Sequence, residues 1–478
     1  MAPCVSDLAS VAAFWCPQRN LDMNDLLAAR SQMAMSLGFH IIFAVVGMGM
    51  PALMVISEWR WYRTRDPVML DLAKRWAKGT AILFAVGAVS GTVLSFELGL
   101  LWPTFMKHAG PVVSMPFSLE GFAFFTEAIF LGIYLYAWKR ISAVAHLAAG
   151  VVVAISGALS GAFVVCANAW MNAPTGFTMT NGVLSDVDPI AAMFNDAAPA
   201  EVLHMMLAAY AATAAMVAGI HAYALLRGTL RPAFHRAAVQ TALFVAVPAV
   251  LLQPLSGDFS ARDVAKRQPM KFAALDAHLR TGPAGLVIGG WVDEKTLTTR
   301  GAIEIPGAVS AVLHFDRNAS IPGLDAVPVT DRPPAGIVHV AFQIMVGCGM
   351  ALAFVGAWGV WRIWRRRRGH GVPLPADRKY LLALVATSPL GFIAIEAGWT
   401  VTEVGRQPWI VQDFMRVSEA VTPMPGLVIP FLGFTLLYMG LAVIVTYLLW
   451  RQILKTGVRP LRGDAPAISA TTEYNVRR

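Results

Sequence analysis

The stretch YLLALVATSPLGFIAIEAGWTVTEVGRQPW, Tyr380 to Trp409, sets the terms for the rest of the chain. It begins as an apolar run of the length a helix needs to cross a bilayer, about 20 residues. It ends with two glutamates, Glu396 and Glu403, an arginine, Arg406, and two tryptophans, Trp399 and Trp409. A charged side chain in mid-membrane costs roughly 2.5–3.5 kcal/mol on the gentlest scale, so intramembrane carboxylates mark function by default. Glu396, Trp399 and Glu403 stand three, four and seven apart, which is one helix face.

Apolar blocks of this kind recur along the chain. Of 478 residues, 56% are hydrophobic and 14% charged, against roughly a quarter charged in a soluble domain. Nine spans are expected, near 31–57, 75–101, 116–138, 142–168, 201–227, 236–254, 337–364, 380–403 and 425–450. A backbone inside lipid must satisfy its own hydrogen bonds, so the expected fold is all-α and polytopic. No internal repeat is evident, which weighs against an inverted-repeat transporter. The expected divisions are an N-terminal extension of unclear role (1–25), helices one to six (26–254), a long loop (255–336), helices seven to nine (337–455) and a tail (456–478). The extension lacks a basic start and makes a poor signal peptide, and Met23 is an alternative start.

Loop charge gives an orientation. Arg60, Arg63, Arg65, Lys74 and Arg75 follow the first span, Lys139 and Arg140 the third, Arg227, Arg231 and Arg236 the fifth, and Arg365–Arg368 the seventh. Residues 168–201 carry no Lys or Arg. The positive-inside rule then predicts a periplasmic N-terminus and a cytoplasmic C-terminus, with the long loop outside and exempt from the rule by its length. The net charge of +9 is accounted for by these anchors, so no nucleic-acid partner is expected. Cys4, Cys16, Cys166 and Cys348 form no CxxC pair and read as structural.

Within the spans, His40, Glu120, His204, Met345 and Glu403 come from five helices and fall at one expected depth, on the side of the long loop. Glu127 lies seven residues from Glu120, on the same face. His339 rivals Met345 or His204 as a ligand, and spacing does not choose. His146 and His221 read as histidines bonded to neighbouring carbonyls. Two His, a Met and intramembrane carboxylates suggest metal ligation or proton handling. There is no HExxH and no CxxCH. A His/Met pair on facing helices suits non-covalent, six-coordinate haem, and a further His with an open position suits an oxygen-binding one.

Five motifs give these residues a family: GRQPW (Gly405–Trp409), EAGW (Glu396–Trp399), LEGFAFF (Leu119–Phe125), ANAWM (Ala167–Met171) and QPMKFAALD (Gln268–Asp276). With them the chain resembles subunit I of cytochrome bd-type quinol oxidases, in the short-loop, cyanide-insensitive branch, from Leu26 to about Lys455. The resemblance implies that His204 and Met345 are axial ligands of a low-spin haem b. It implies that His40 and Glu403 each ligate one of two high-spin haems, either haem b and haem d or both haem b. Glu120 then stands beside the oxygen site as a possible second ligand, and Glu127 on a proton path. Trp399 and Arg406 pack by the haems, with Arg406 available to a propionate. Lys271 and Asp276 fall where the outer loop meets quinol. The family also implies a second subunit in a membrane heterodimer and residence in the bacterial cytoplasmic membrane, and it allows a small single-helix subunit.

Three departures stand out. Gln343 replaces an arginine common two residues before the ligating Met, Asp276 replaces a glutamate, and Glu120 and Glu127 are one residue closer than in some long-loop members. The implied reaction is oxidation of quinol at the outer face and reduction of O2 to water, with protons released and taken up on opposite sides. Three other readings compete: a proton-coupled transporter, which needs no haem; a haem subunit that relays quinol electrons to a soluble partner; and a purely structural membrane subunit, which leaves the shared depth of these residues unexplained.

Overall fold

The structure, a computed structural model, describes residues 24–180, 183–368 and 376–454. The expected extension up to Met23 and the tail from Lys455 lie outside the described residues, as do Cys4 and Cys16.

Helix starts are written in the sequence. Helix α1 (Asp25–Thr64) is capped by Asn24, whose side chain accepts from the Leu26 N–H at 2.9 Å. Helix α2 (Pro67–Leu101) begins with an Asp66 cap and a proline in its first turn, where a missing N–H is harmless. Helix α3 spans Pro103–Tyr136, and α4, capped by Ser142, spans Ala143–Asn172. A hairpin of β1 (Thr178–Thr180) and β2 (Val183–Ser185) leads to the short α5 (Pro189–Met193), then α6 (Ala198–Leu226) and α7 (Pro232–Arg267).

The loop follows. It opens with α8 (Pro269–Leu275) and continues through β3 (Gly282–Pro283), β4 (Leu286–Ile288), β5 (Trp291–Asp293), β6 (Thr298–Arg300), β7 (Ile303–Ile305), α9 (Ala308–His314) and β8 (Ser320–Ile321). The strands pair antiparallel as β3–β8, β4–β7 and β5–β6. The chain re-enters the bundle with α10 (Ala335–Arg367), α11 (Arg378–Thr387) and α12 (Leu390–Gly405). A small β9–β10 ribbon (Trp409–Val411, Met415–Arg416), a turn of helix α13 (Val417–Ala420) and α14 (Val428–Leu454) complete it.

Among the described residues, nine helical segments are long and apolar enough to cross a membrane, with α11 and α12 counted together. Two boundaries differ from the hydropathy reading. Helix α7 continues through polar sequence to Arg267 instead of ending near 254. The ion pairs Asp258–Arg262 and Asp263–Arg267, each four residues apart, support this extension. The eighth span is broken between α11 and α12 at Ser388 and Pro389; proline has no N–H to continue the ladder.

Glycines let some helices meet closely. A Cβ on Gly391 of α12 would run into Ala212 Cα of α6, so only glycine allows the two backbones to approach so closely. One core occupies the arginine-rich end, around Leu53, Leu72, Trp76, Tyr134 and Tyr380. A second joins the loop (Phe272, Leu275, Leu279, Val287) to Val338 and Ala341 of α10.

Candidate functional site

The two histidines expected to bind iron each lie against a serine of the following helix. His40 Nδ1 lies 2.9 Å from Ser90 Oγ on α2, and Ser90 Oγ itself donates to the Val86 carbonyl at 3.0 Å. A hydroxyl that donates elsewhere accepts here, so the His40 Nδ1–H donates and Nε2 keeps its lone pair. His204 has the same kind of Nδ1 partner on α7, Ser256 Oγ at 3.0 Å, which donates to the Gln253 carbonyl at 2.9 Å, but the Gln253 side-chain amide also lies 3.2 Å from His204 Nε2. Each serine is followed by a glycine under the ring. A Cβ on Gly91 would lie 2.9 Å from His40 Cε1, and one on Gly257 3.5 Å from His204 Cε1. Met345 also lies over a glycine, with its sulfur 3.0 Å from a Cβ built on Gly398. All three side chains are only half-buried although their helices lie within the bundle.

A buried polar network occupies the loop end. Its hub is Asn172, at the C-terminus of α4. Asn172 Oδ1 accepts from Lys271 Nζ (2.9 Å), from Arg406 (3.0 Å) and from Gln268 (3.3 Å), and its amide donates to Glu201 at 2.9 Å. Glu403 accepts on both oxygens, from Asn168 at 2.5 Å and Arg406 at 2.6 Å. The structure thus brings Lys271, Glu403 and Arg406 into one cluster. Asn168, Asn172 and Glu201 were missed by sequence reasoning; only Asn168 lay inside a quoted motif. Burial and the neighbouring Arg406 guanidinium pull the Lys271 ammonium down to about 7, against Glu201 and Glu403, which pull it up.

Asp276 stands apart from this cluster. It is 3% exposed, and its Oδ2 has no hydrogen-bond partner among the described residues. Burial, with a smaller push from Glu304, raises its carboxyl to about 8.

Glu120 accepts from Ser160 Oγ at 3.2 Å. Glu127 is buried between α1 and α4, beside Gly47 and Gly157, and its Oε1 is unpartnered among the described residues. Glu396 faces Gly38 of α1, two residues from His40, and its Oε1 is likewise unpartnered there. Trp399 packs on Ile41, Val45 and Ile395 between α1 and α12. His146 contacts the Tyr134 carbonyl at 3.0 Å as expected, and also pairs with a carboxylate the sequence reading passed over, Glu58, at 2.7 Å. His221 contacts His235 and Trp76 rather than a carbonyl. The rival ligand His339 is corrected: both its ring nitrogens face main-chain carbonyls, of Leu275 at 2.9 Å and Gly289 at 3.0 Å, so neither serves a metal.

The donor set suits haem. Among the described residues no three His, Cys, Asp or Glu gather as a bare metal ion would require. Single imidazole, thioether and carboxylate donors on separate helices are what a porphyrin needs, because it brings its own equatorial nitrogens. Arg406, 2% exposed, has an Nε without an acceptor among the described residues; a haem carboxylate would satisfy it.

Comparison with known proteins agrees with this chemistry. The family described as cytochrome bd terminal oxidase subunit I matches residues 28–457. The putative cytochrome bd menaquinol oxidase subunit I of Bacillus subtilis is 36% identical over 434 residues, covering 89% of this chain and 96% of that one. The cytochrome bd-II ubiquinol oxidase subunit 1 of Escherichia coli is 26% identical, over 84% of this chain and 90% of its own. The solved bd oxidase of Geobacillus thermodenitrificans superimposes with a TM-score of 0.83 at 38% identity, covering 90% of this chain and 98% of its own. With a family match over nearly its full length and a fold to go with it, the chain belongs to the cytochrome bd terminal oxidase subunit I family: it is a multi-pass membrane subunit of a respiratory quinol oxidase.

Proposed function

We propose that the chain oxidises quinol at its loop end and reduces O2 to water within the bundle, with its own residues dividing the work. When bound, haem supplies iron that carries single electrons and binds oxygen. His204 and Met345 would hold the low-spin haem b, with His40 and Glu403 each holding one of two high-spin haems. The Ser90 and Ser256 bonds orient the imidazoles for ligation through Nε2, which at His204 would replace the Gln253 amide contact. Asn168 and Arg406 orient the Glu403 carboxyl by donating to both of its oxygens.

Lys271 and Asp276 meet the quinol. Asp276, held neutral by burial below about pH 8, donates to a quinol oxygen as the acid and accepts a quinol proton as the carboxylate. Glu127 and Glu120 hold protons on their way to the oxygen site. Quinol protons leave at the loop end, and protons for water enter from the arginine-rich end. This separation charges the membrane without a pump.

The observation that carries the reading is the buried network itself. Lys271 of the loop and Arg406, which grips Glu403, share one oxygen of Asn172, so the quinol segment and an iron-ligating carboxylate form one structure. The test is the spectrum of the dithionite-reduced holoenzyme with and without carbon monoxide. A carbon-monoxide-sensitive fraction is expected, with a far-red band if one haem is haem d. A low-spin spectrum blind to carbon monoxide would assign the chain to electron relay instead. Residence in the bacterial cytoplasmic membrane beside a second subunit, with the N-terminus periplasmic, belongs to the same proposal.

A further inference from the structure

We infer that His339 and Gln343 are positioning residues for quinol oxidation, clamping the loop that carries Lys271 and Asp276 onto the helix that carries Met345. The inference rests on the quinol reading above. The two residues stand one turn apart on α10, so they share a face. Between them they take both polar groups of one residue. Gln343 Oε1 accepts the Gly289 N–H at 3.1 Å, and the Gly289 carbonyl faces His339 Nε2 at 3.0 Å. Gln343 Nε2 also donates to the Val287 carbonyl at 3.0 Å. On its other side, His339 Nδ1 meets the carbonyl of Leu275, the residue before Asp276, at 2.9 Å.

The turn between β4 and β5 is therefore held to α10 by side chains that read main-chain groups as a neighbouring strand would. Its glycines are needed for this. Gly289 and Gly290 have φ of +68° and +88°, a region other residues seldom enter. Glu294 reinforces the hold by accepting the Gly336 N–H at 2.9 Å, at the start of α10. His339 is 0% exposed; its ring donates to one of these two carbonyls when neutral and to both only as the imidazolium, and burial shields the bond it makes from competing water. Gln343 stands two residues before Met345. The glutamine that replaces a common arginine thus joins the loop to the ligand helix.

A clamp that only stabilised the protein would affect every activity alike. One that positions the loop affects the quinol step. In the purified holo-oxidase complex, Gln343→Leu is expected to raise the KM for a soluble ubiquinol or menaquinol analogue about tenfold. The reduced spectrum and the oxygen consumption driven by a small reductant that bypasses the quinol site should stay at the parent level. Gln343→Glu keeps the acceptor for Gly289 and loses the donor to Val287, and should fall between. Tryptic cleavage within the loop, at the exposed Arg300, should quicken in Gln343→Leu. An unchanged KM with unchanged cleavage would overturn the inference. So would an equal loss of quinol-driven and bypass rates with a damaged spectrum. If the parent complex consumed no oxygen with any quinol, the quinol reading itself would fall; the proteolysis comparison would still report whether the clamp exists.

Discussion

Single side chains set how His40 and His204, the proposed iron ligands, are seated. Ser90 and Ser256 do so by accepting from Nδ1. Removing a partner of this kind typically weakens a metal site about 10–100-fold. Ser90→Ala and Ser256→Ala should each lower the haem-to-protein ratio after purification, measured on the reduced spectrum. The glycines separate the two seats. A Cβ at position 91 would stand 2.9 Å from His40, too close for any real Cβ, whereas one at 257 would stand at 3.5 Å, an ordinary contact. Gly91→Ala should therefore displace the His40 ring and change the spectrum, while Gly257→Ala should leave it intact. Ser-Gly pairs at 90–91, 156–157, 160–161 and 256–257 are visible in the sequence. Nothing there says that Ser160 bonds Glu120 or that Gly157 makes room for Glu127. The candidate ligand residues were picked out by type, depth and motif. Their seats and the Asn172 hub were not, because each is assembled from helices far apart in the chain.

Asp276 gives the residue scale a pH signature. Its carboxyl is raised to about 8 from an unfolded value of about 3.9. The folded state therefore binds the extra proton, and the stability this group contributes is lost as pH rises from about 4 through about 8. Asp276→Asn should remove that loss, so its thermal midpoint should gain on the parent at pH 9 relative to pH 6. In activity the sign is opposite. Quinol oxidation should speed up as pH rises through about 8 and the carboxylate appears, and Asp276→Asn should lack this limb.

At the scale of elements, hydropathy found the spans but not how they meet. The approach of α12 to α6 at Gly391 depends on a missing side chain, which a hydropathy scale does not register. Gly391→Ala should lower the thermal midpoint, since neither backbone can yield cheaply. Gly79→Ala on α2, where a Cβ meets nothing within 4 Å, should leave it unchanged or raise it slightly, because alanine is the better helix former by about 1 kcal/mol. The polar end of α7 was hidden for the complementary reason: its i,i+4 ion pairs hold a helix without apolarity. Pro389 was in plain view, yet a window average runs through it. The short strands of the loop gave no periodicity to read, since they pair in twos and lean on α10 for their core.

At the scale of the molecule, the polar groups fall into two ends joined by Glu120 and Glu127. Lys271, Asp276, Glu201 and Arg406 gather at the loop end. Glu58 and His146 pair near the arginine-rich end, where α1 runs on to Arg60 and Arg63. Glu127 lies between, about 10 Å along α3 from Glu120 at 1.5 Å per residue, and 4% exposed. With quinol oxidised at one end, as proposed, and the other buried acids lying toward the opposite end, charge is separated only if Glu127 passes protons one way. Glu127→Gln keeps the shape and removes the titration. The variant complex should still be reduced by quinol, while steady oxygen consumption falls at least tenfold. In vesicles the parent should build a membrane potential that a protonophore collapses. Parent turnover without any potential would place release and uptake on the same side and refute the routing, even if quinol oxidation and oxygen reduction both stood.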